Sequence, residues 1–467
     1  MNTVNWLNEH IFWGLPMLAL FIGVGVYFTI KLRFFQLNIA NIFKQTLFAR
    51  QDNTVGNGLT PFQTLTSSLA LTIGTGNIVA LGTAIALGGA GAVFWMWVSA
   101  VLGMATTYAE NVLGVKYRRK RSEFAHNTNS NSNDSYLGGA FWYIEKAMGG
   151  FLAKLFAVCC ILASFGLGNM TQINAMSASL KHSFALPLWV SGVIAIIPVG
   201  ILVFGGARLL GKVTEKAIPA ISIIYILGCL AVIAIFAKEV PAVLVRIVTE
   251  AFGFSAIGGG AAGIGISKAM SWGFRRGVFS NEAGLGSTVT MNAMTTSDNA
   301  HTQGLWATLS VFFDTIVICT LTALPILLTG ADKSATVDGG MNLASAAFAA
   351  AFGNYAGTFV TLSVVVFAIA TAAGWSVFGA VCIEYLWSRN AHKKTHPRSL
   401  RRNPQKAVRA FCVVYVCFTF VGAVARLDLV WGTADLMNGV MALINLPAIM
   451  LLSDKAVDLH RRATMPR

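Results

Sequence analysis

Charge is what this chain has least of. Asp, Glu, Lys and Arg make up 11% of its 467 residues, less than half of the roughly 25% found in a soluble globular domain. Acids are the scarcer sign, with 19 Asp and Glu against 34 Lys and Arg. Catalytic signatures are missing too. There is no HExxH, no paired-histidine metal helix and no Walker lysine, since Gly258–Lys268 lacks the required spacing. Gly74-Thr-Gly-Asn-Ile-Val79 fails the dinucleotide-binding pattern because Val79 stands where the last glycine belongs. No enzyme is expected. The cysteines, at 159, 160, 229, 319, 382, 412 and 417, all fall in apolar segments and form neither CxxC nor a Cys/His metal spacing. They read as reduced packing residues, and no organic cofactor or resident metal is expected.

What is abundant is apolar surface: 55% of residues are hydrophobic and the mean hydropathy is +0.65. Water cannot cover so much of it, but lipid tails can. Apolar runs of about 20 residues span a hydrocarbon core as helices. Eleven are read, at about 11–30, 62–88, 91–115, 143–180, 187–206, 213–237, 256–290, 302–329, 356–388, 408–426 and 433–453. The alternating ten-residue stretches of a membrane β-barrel are absent. The net charge of +15 then sorts by side. Of the 34 Lys and Arg, 24 fall in alternate loops: around Lys31–Arg50, Lys116–Arg121, Arg208–Lys216, Arg389–Arg409 and the tail from Lys455. This bias places the N-terminus outside and the C-terminus in the cytoplasm. It needs no nucleic-acid partner; the partner is the bilayer. The first apolar run lacks a basic flank, so it reads as a retained helix and not as a cleaved signal. FAHNTNSNSNDS (124–135) and HKKTHPRSLRRNPQK (392–406) read as cytoplasmic loops.

Two places break the pattern of plain spanning helices. Leu71-Thr-Ile-Gly-Thr-Gly-Asn-Ile78 interrupts the second segment, and Gly258–Gly286 puts glycines, two arginines and Ser280-Asn-Glu-Ala-Gly284 into the seventh. Most membrane glycines only let helices approach closely, and Gly103, Gly114, Gly228 and Gly379 are read so. Around Gly74 the adjacent Thr75 and Asn77 favour a true break. Each break opens a group of five helices, and an odd number of crossings makes the groups inverted. Paired broken helices in inverted repeats point to a carrier's midplane site. The expected architecture is all-α, about 11 transmembrane helices, five plus five inverted. Residues 1–60 supply an extra helix and linker, 61–237 and 238–455 the two repeats, and 456–467 a cytoplasmic tail.

Four motifs carry a resemblance. GTGNIVALGTAIALGGAGAVFWMW (74–97), GMATTYAENVLGVKYR (103–118), FRRGVFSNEAGLGS (274–287) and GWSVFGAVCIEYL (374–386) resemble the alanine/glycine:cation symporters, in order and across nearly the whole chain. The resemblance implies a leucine-transporter-like fold in a prokaryotic cytoplasmic membrane. It also implies uptake of alanine or glycine coupled to sodium or protons. Serine and glutamine are alternative cargoes, and a channel is a remote alternative because one asymmetric pair of breaks builds no symmetric pore. No oligomeric state is legible, and a monomer is the simplest expectation.

A zwitterion needs donors for its carboxylate and acceptors for its ammonium. Gly74, Thr75 and Gly76 are expected to offer backbone N–H groups at the positive end of a helix, with the Thr75 hydroxyl assisting. Unwound carbonyls over 274–282, including Asn281, are expected to receive the ammonium. Gln172 is favoured over Asn169 and Asn174 because the resemblance implies a polar contact on this helix. Phe279 and Trp375 are expected to wall the pocket. The cation needs oxygen ligands, assigned to Thr72, Asn77 and Thr371. Ionisable residues inside spans are functional hypotheses: Glu282 is expected to pair with Arg275 or Arg276, Asp314 to take a backbone donor or a proton, and Glu110 and Glu384 to be interface or ion-pair residues. After Gly374-Trp-Ser376 the chain has Val377, Phe378, Gly379 and Ala380 where the family pattern has a second aromatic and an acid, which leaves the pocket shape open.

Overall fold

A backbone in lipid must satisfy its own polar groups, and the chain is helical almost throughout. The computed structural model describes residues 6–47, 59–123, 136–253, 261–334, 342–353, 355–391 and 404–465. The loop at 124–135 and most of the basic linker, 392–403, lie outside the described residues.

In chain order the principal helices are α1 (Leu15–Lys31), α2 (Pro61–Thr72), α3 (Gly76–Gly88), α4 (Gly91–Tyr117) and α5 (Ala140–Met148). They continue with α6 (Gly150–Phe184), α7 (Leu188–Ile235), α8 (Val240–Ala251), α9 (Ala261–Asn281) and α10 (Ala300–Leu328). The last five are α11 (Leu343–Phe352), α12 (Ala356–Ala391), α13 (Pro404–Val424), α14 (Leu427–Leu451) and α15 (Ser453–Thr464). Among the described residues, eight helices are long and apolar enough to span a membrane, and α2 and α3 together make a ninth candidate, bent by 49°. Helix α7 has 48 residues, about 72 Å at 1.5 Å per residue, more than twice a hydrocarbon core. It turns at Gly206, whose φ of 67° and ψ of −173° are not helical, giving the two legs expected at 187–206 and 213–237.

The first break has a clear local origin. Thr60 and Gln63 cap α2 reciprocally, and Pro61 fits its first turn. The helix then stops at Thr72, and Ile73–Thr75 lead into a π-helical turn at Gly76–Ala80. The second break lies later than the sequence suggests. Helix α9 runs unbroken to Asn281, followed by a turn in which Glu282, Gly284 and Gly286 take φ values of 56°, 86° and 73°. Gly273 and Gly277 are packing glycines. A β-carbon at 273 would lie 2.3 Å from the Ala92 carbonyl oxygen, and one at 277 would lie 2.4 Å from Ser99 Oγ, so they seat α9 on α4. The unwound stretch expected over 274–282 is thereby corrected: 274–281 is helix, and the backbone leaves it at Glu282.

Candidate functional site

The break between α2 and α3 meets α6, α9, α10 and α12 at one buried place. Thr75 donates both its backbone N–H (3.0 Å) and its hydroxyl (2.9 Å) to Gln172 Oε1. A β-carbon at Gly74 would lie 2.7 Å from Thr371 Oγ1 and 2.8 Å from Gln172 Oε1, so only glycine leaves room here. Thr371 itself donates across to the Ala70 carbonyl of α2 at 2.8 Å. A carbonyl oxygen that collects two convergent donors at a helix break occupies the place a carboxylate oxygen fits. The rival amides turn away: Asn169 donates to the Tyr415 carbonyl, and Asn174 to those of Gly422 and Ala425.

Opposite the break lies α9. The backbone of Ser280 is 3.4 Å, and the Phe279 ring 3.6 Å, from where a Gly76 β-carbon would sit. Phe279 stacks on Trp431 of α14 with ring centres 4.9 Å apart. Asn281 is a local cap: its Oδ1 accepts from Ala283 N at 3.1 Å and its Nδ2 donates to Thr315 Oγ1 at 3.2 Å. Trp375 is buried one turn past Thr371, against Gly168, and donates from Nε1 to Glu282 Oε1 at 3.1 Å.

The oxygen-rich part of the site centres on Asp314, in a π-helical turn of α10 spanning Phe312–Cys319. Its buried carboxylate accepts from Asn77 Nδ2 (2.7 Å), Ser280 Oγ (2.9 Å) and Thr315 Oγ1 (2.8 Å). Of the two expectations for Asp314, a backbone donor or a proton, the first is corrected: its donors are side chains. Asn77 also donates to the Asp314 carbonyl at 2.9 Å, while its Oδ1 accepts from Gly74 N at 3.1 Å. The amide oxygen assigned to the cation thus faces the break. Thr72 donates to Ser68 of its own helix at 3.2 Å and is not brought to the cluster. Ser280 and Thr315 were not singled out by the sequence. Ser280 carried a signal beside Asn281, whereas Thr315 followed a residue already marked.

Two further expectations are corrected. Glu282 pairs with neither arginine; its carboxylate accepts from Trp375 and, at 2.5 Å, from Ser287 Oγ. Arg275 and Arg276 turn instead to Asp435 of α14. Glu110 is fully buried, not interfacial. It accepts the N–H groups of Gly284 (3.3 Å) and Gly286 (3.1 Å) and the amide of Asn445, clamping the turn after α9. Glu384 does form an ion pair, with Arg121 at 2.9 Å.

The Sodium:alanine symporter family matches over residues 1–463. The Sodium/alanine symporter AgcS of Methanococcus maripaludis is 37% identical over 466 residues, covering 98% of this chain and 96% of that one. The Probable sodium/glutamine symporter GlnT of Bacillus subtilis is 32% identical, covering 96% and 87%. Among solved structures, MhsT in complex with L-phenylalanine aligns with a TM-score of 0.59 at 13% identity over 87% of this chain and 93% of that one. A Na+-coupled sialic acid symporter in a substrate-bound outward-open state aligns with a TM-score of 0.54 at 13% identity over 96% and 87%. At that identity the two structures speak for the fold alone, which is the leucine-transporter-like arrangement of membrane carriers.

Proposed function

The chain belongs to the sodium:alanine symporter family, and from that premise we propose that it takes up alanine or glycine together with sodium by alternating access. The observation that carries the reading is the pair of Thr75 donors gathered on one oxygen beside Gly74. An amino-acid carboxylate would replace Gln172 Oε1 there, and the freed amide would turn to hydrogen-bond the substrate. Gly74, Thr75, Gly76 and Gln172 then hold the cargo, and Phe279 limits its side chain from the α9 side. Trp375 acts from below, through its bond to Glu282, and Asn281 keeps the end of α9 in register.

We assign the coupling cation to Asp314. A carboxylate, the hydroxyls of Ser280 and Thr315 and a nearby main-chain carbonyl form the all-oxygen set that a hard cation takes. Asn77 would join by presenting its amide oxygen, and Thr371 ties the same break to α12. Thr72 has no place in this set. We assign the basic ends of α1 and α4, the Arg121–Glu384 pair and α15, held to α4 through His460 and Tyr108, to the cytoplasmic side of a prokaryotic membrane. The two broken spans open the repeats at 61–237 and 238–455.

Proteoliposomes test the reading directly. An imposed sodium gradient should drive concentrative uptake of radiolabelled alanine, lost in Thr75→Val. Uptake driven by a pH gradient and indifferent to sodium would overturn the coupling ion. Glutamine outcompeting alanine and glycine would overturn the cargo, an alternative that the GlnT likeness keeps open.

A further inference from the structure

From Asp314 towards the basic end of α4, α2 and α10 face each other through a ladder of neutral polar side chains. Ser310 lies one turn before Asp314 on α10, and Gln303 two turns before Ser310; Thr64 and Ser68 sit one turn apart on α2. Ser68 Oγ meets Ser310 Oγ at 3.3 Å, and Gln303 Nε2 donates to Thr64 Oγ1 at 3.0 Å. The same Nε2 reaches Asn292 Oδ1 at 3.5 Å, in the segment that follows the turn after α9. Every one of these side chains is buried. The ladder from Asp314 to Gln303 is about 16 Å long. At its far end Arg118 donates to the carbonyls of Ala293 (3.1 Å) and Thr295 (2.8 Å), and the Thr296 N–H donates to the Leu59 carbonyl at 2.9 Å. That end is shut.

Polar side chains often serve as glue between membrane helices, and glue leaves its atoms paired. This ladder does not. Gln303 Oε1, Thr288 Oγ1 and Asn292 Nδ2 have no hydrogen-bond partner among the described residues, although each residue is at most 3% exposed. Native interiors leave few such atoms, and each calls for an explanation. Thr288 and Asn292 stand one turn apart and so share a face. No rung carries a charge, so a zwitterion would find no counter-charge here. Neutral oxygens suit a hard cation and hold it loosely enough to let it go. Turning the Gln303 amide over sets Oε1, in place of two donated bonds, against Thr64 and Asn292. We propose that Gln303, Thr64, Thr288 and Asn292 form an inner site for the coupling cation, a resting place between Asp314 and the cytoplasm. Ser68 and Ser310 are the step between the two, and the way out opens when the Leu59–Thr296 pairing breaks. The inference rests on the reading of Asp314 as the cation's ligand, and it gives that ion a release route lined by residues other than the cargo's.

Proteoliposomes with sodium fixed outside and varied inside test it, together with sodium-dependent binding of radiolabelled alanine to the purified full chain. In the wild type, internal sodium should refill the inner site and slow alanine influx. Gln303→Met keeps the volume but removes the oxygen; influx should fall, and internal sodium should inhibit only at about tenfold higher concentration. Gln303→Glu adds a charge that traps the ion, so internal sodium should inhibit at about tenfold lower concentration. In both variants alanine binding, and the sodium concentration that supports it, should stay close to wild type, which also proves folding. If one variant binds no alanine the other decides, and Thr288→Val repeats the oxygen-removal test should both fail. Inhibition by internal sodium unchanged from wild type, in a variant that binds alanine, would overturn the inner site and leave a buried water as its occupant. A wild type driven by external sodium but indifferent to internal sodium would also sink it and spare the transport reading. Influx indifferent to external sodium would bring down the cation reading itself.

Discussion

At Gly74 there is no room for a methyl group. A β-carbon would press on Thr371 Oγ1 and Gln172 Oε1 at 2.7 and 2.8 Å, and neither can withdraw without giving up a bond to the break. Gly74→Ala should therefore cost about 1–3 kcal/mol of stability, the usual range for overpacking, and lower alanine uptake more than tenfold; melting curves and initial rates read the two effects separately. Asp314→Asn keeps the volume but removes the charge that faces three donors. It should raise the sodium concentration for half-maximal uptake about tenfold or more while leaving alanine binding at saturating sodium within a few fold. Unchanged sodium dependence would move the cation elsewhere. The Gly74–Asn77 half was legible because its residues are adjacent in sequence. Gln172 stood out from the equally polar Asn169 and Asn174 only through the family resemblance. The Asp314 centre was not, because its hydroxyls come from α9 and α10, and which rotation of each helix faces the break is decided only by packing.

Helix α9 shows how an element can mislead when read alone. Gly273 and Gly277 weaken a helix on paper, yet both are spent on close approach to α4. The break waits for Glu282, where non-glycine backbone goes left-handed. That turn stands because Glu110 of α4 accepts the N–H groups of Gly284 and Gly286, and Asn445 of α14 bridges Glu110 to the Gly284 carbonyl. Removing the acceptor orphans two buried donors, at about 1–3 kcal/mol each. Glu110→Ala should lower the melting temperature by several degrees and slow uptake, whereas Glu110→Gln, which keeps one carbonyl oxygen, should lose less on both measures. Equal behaviour of the two variants would mean that the clamp is only a filled volume.

Across the whole molecule the apolar runs were readable at once, because lipid acts on composition before any contact forms. The short helices at the rims were not, since tertiary contacts alone hold them. Helix α15 is one. His460 on it meets the Tyr108 hydroxyl at 2.9 Å, and Tyr108 meets His301 at 2.6 Å. Burial, then His301 and then Arg33, hold the His460 imidazole down at about 4 from its ordinary 6.5. The unfolded chain therefore binds the extra proton first, so stability is full above about pH 6.5 and is lost as pH falls from there towards 4. Melting temperatures should drop across that window, and His460→Gln should flatten the drop. The Thr75 donors at the break are held by the chain's own Gln172. On the proposed reading, any carboxylate that settles there must displace a partner already hydrogen-bonded, so each cargo is weighed against an internal competitor, and the length of that side chain sets how strongly.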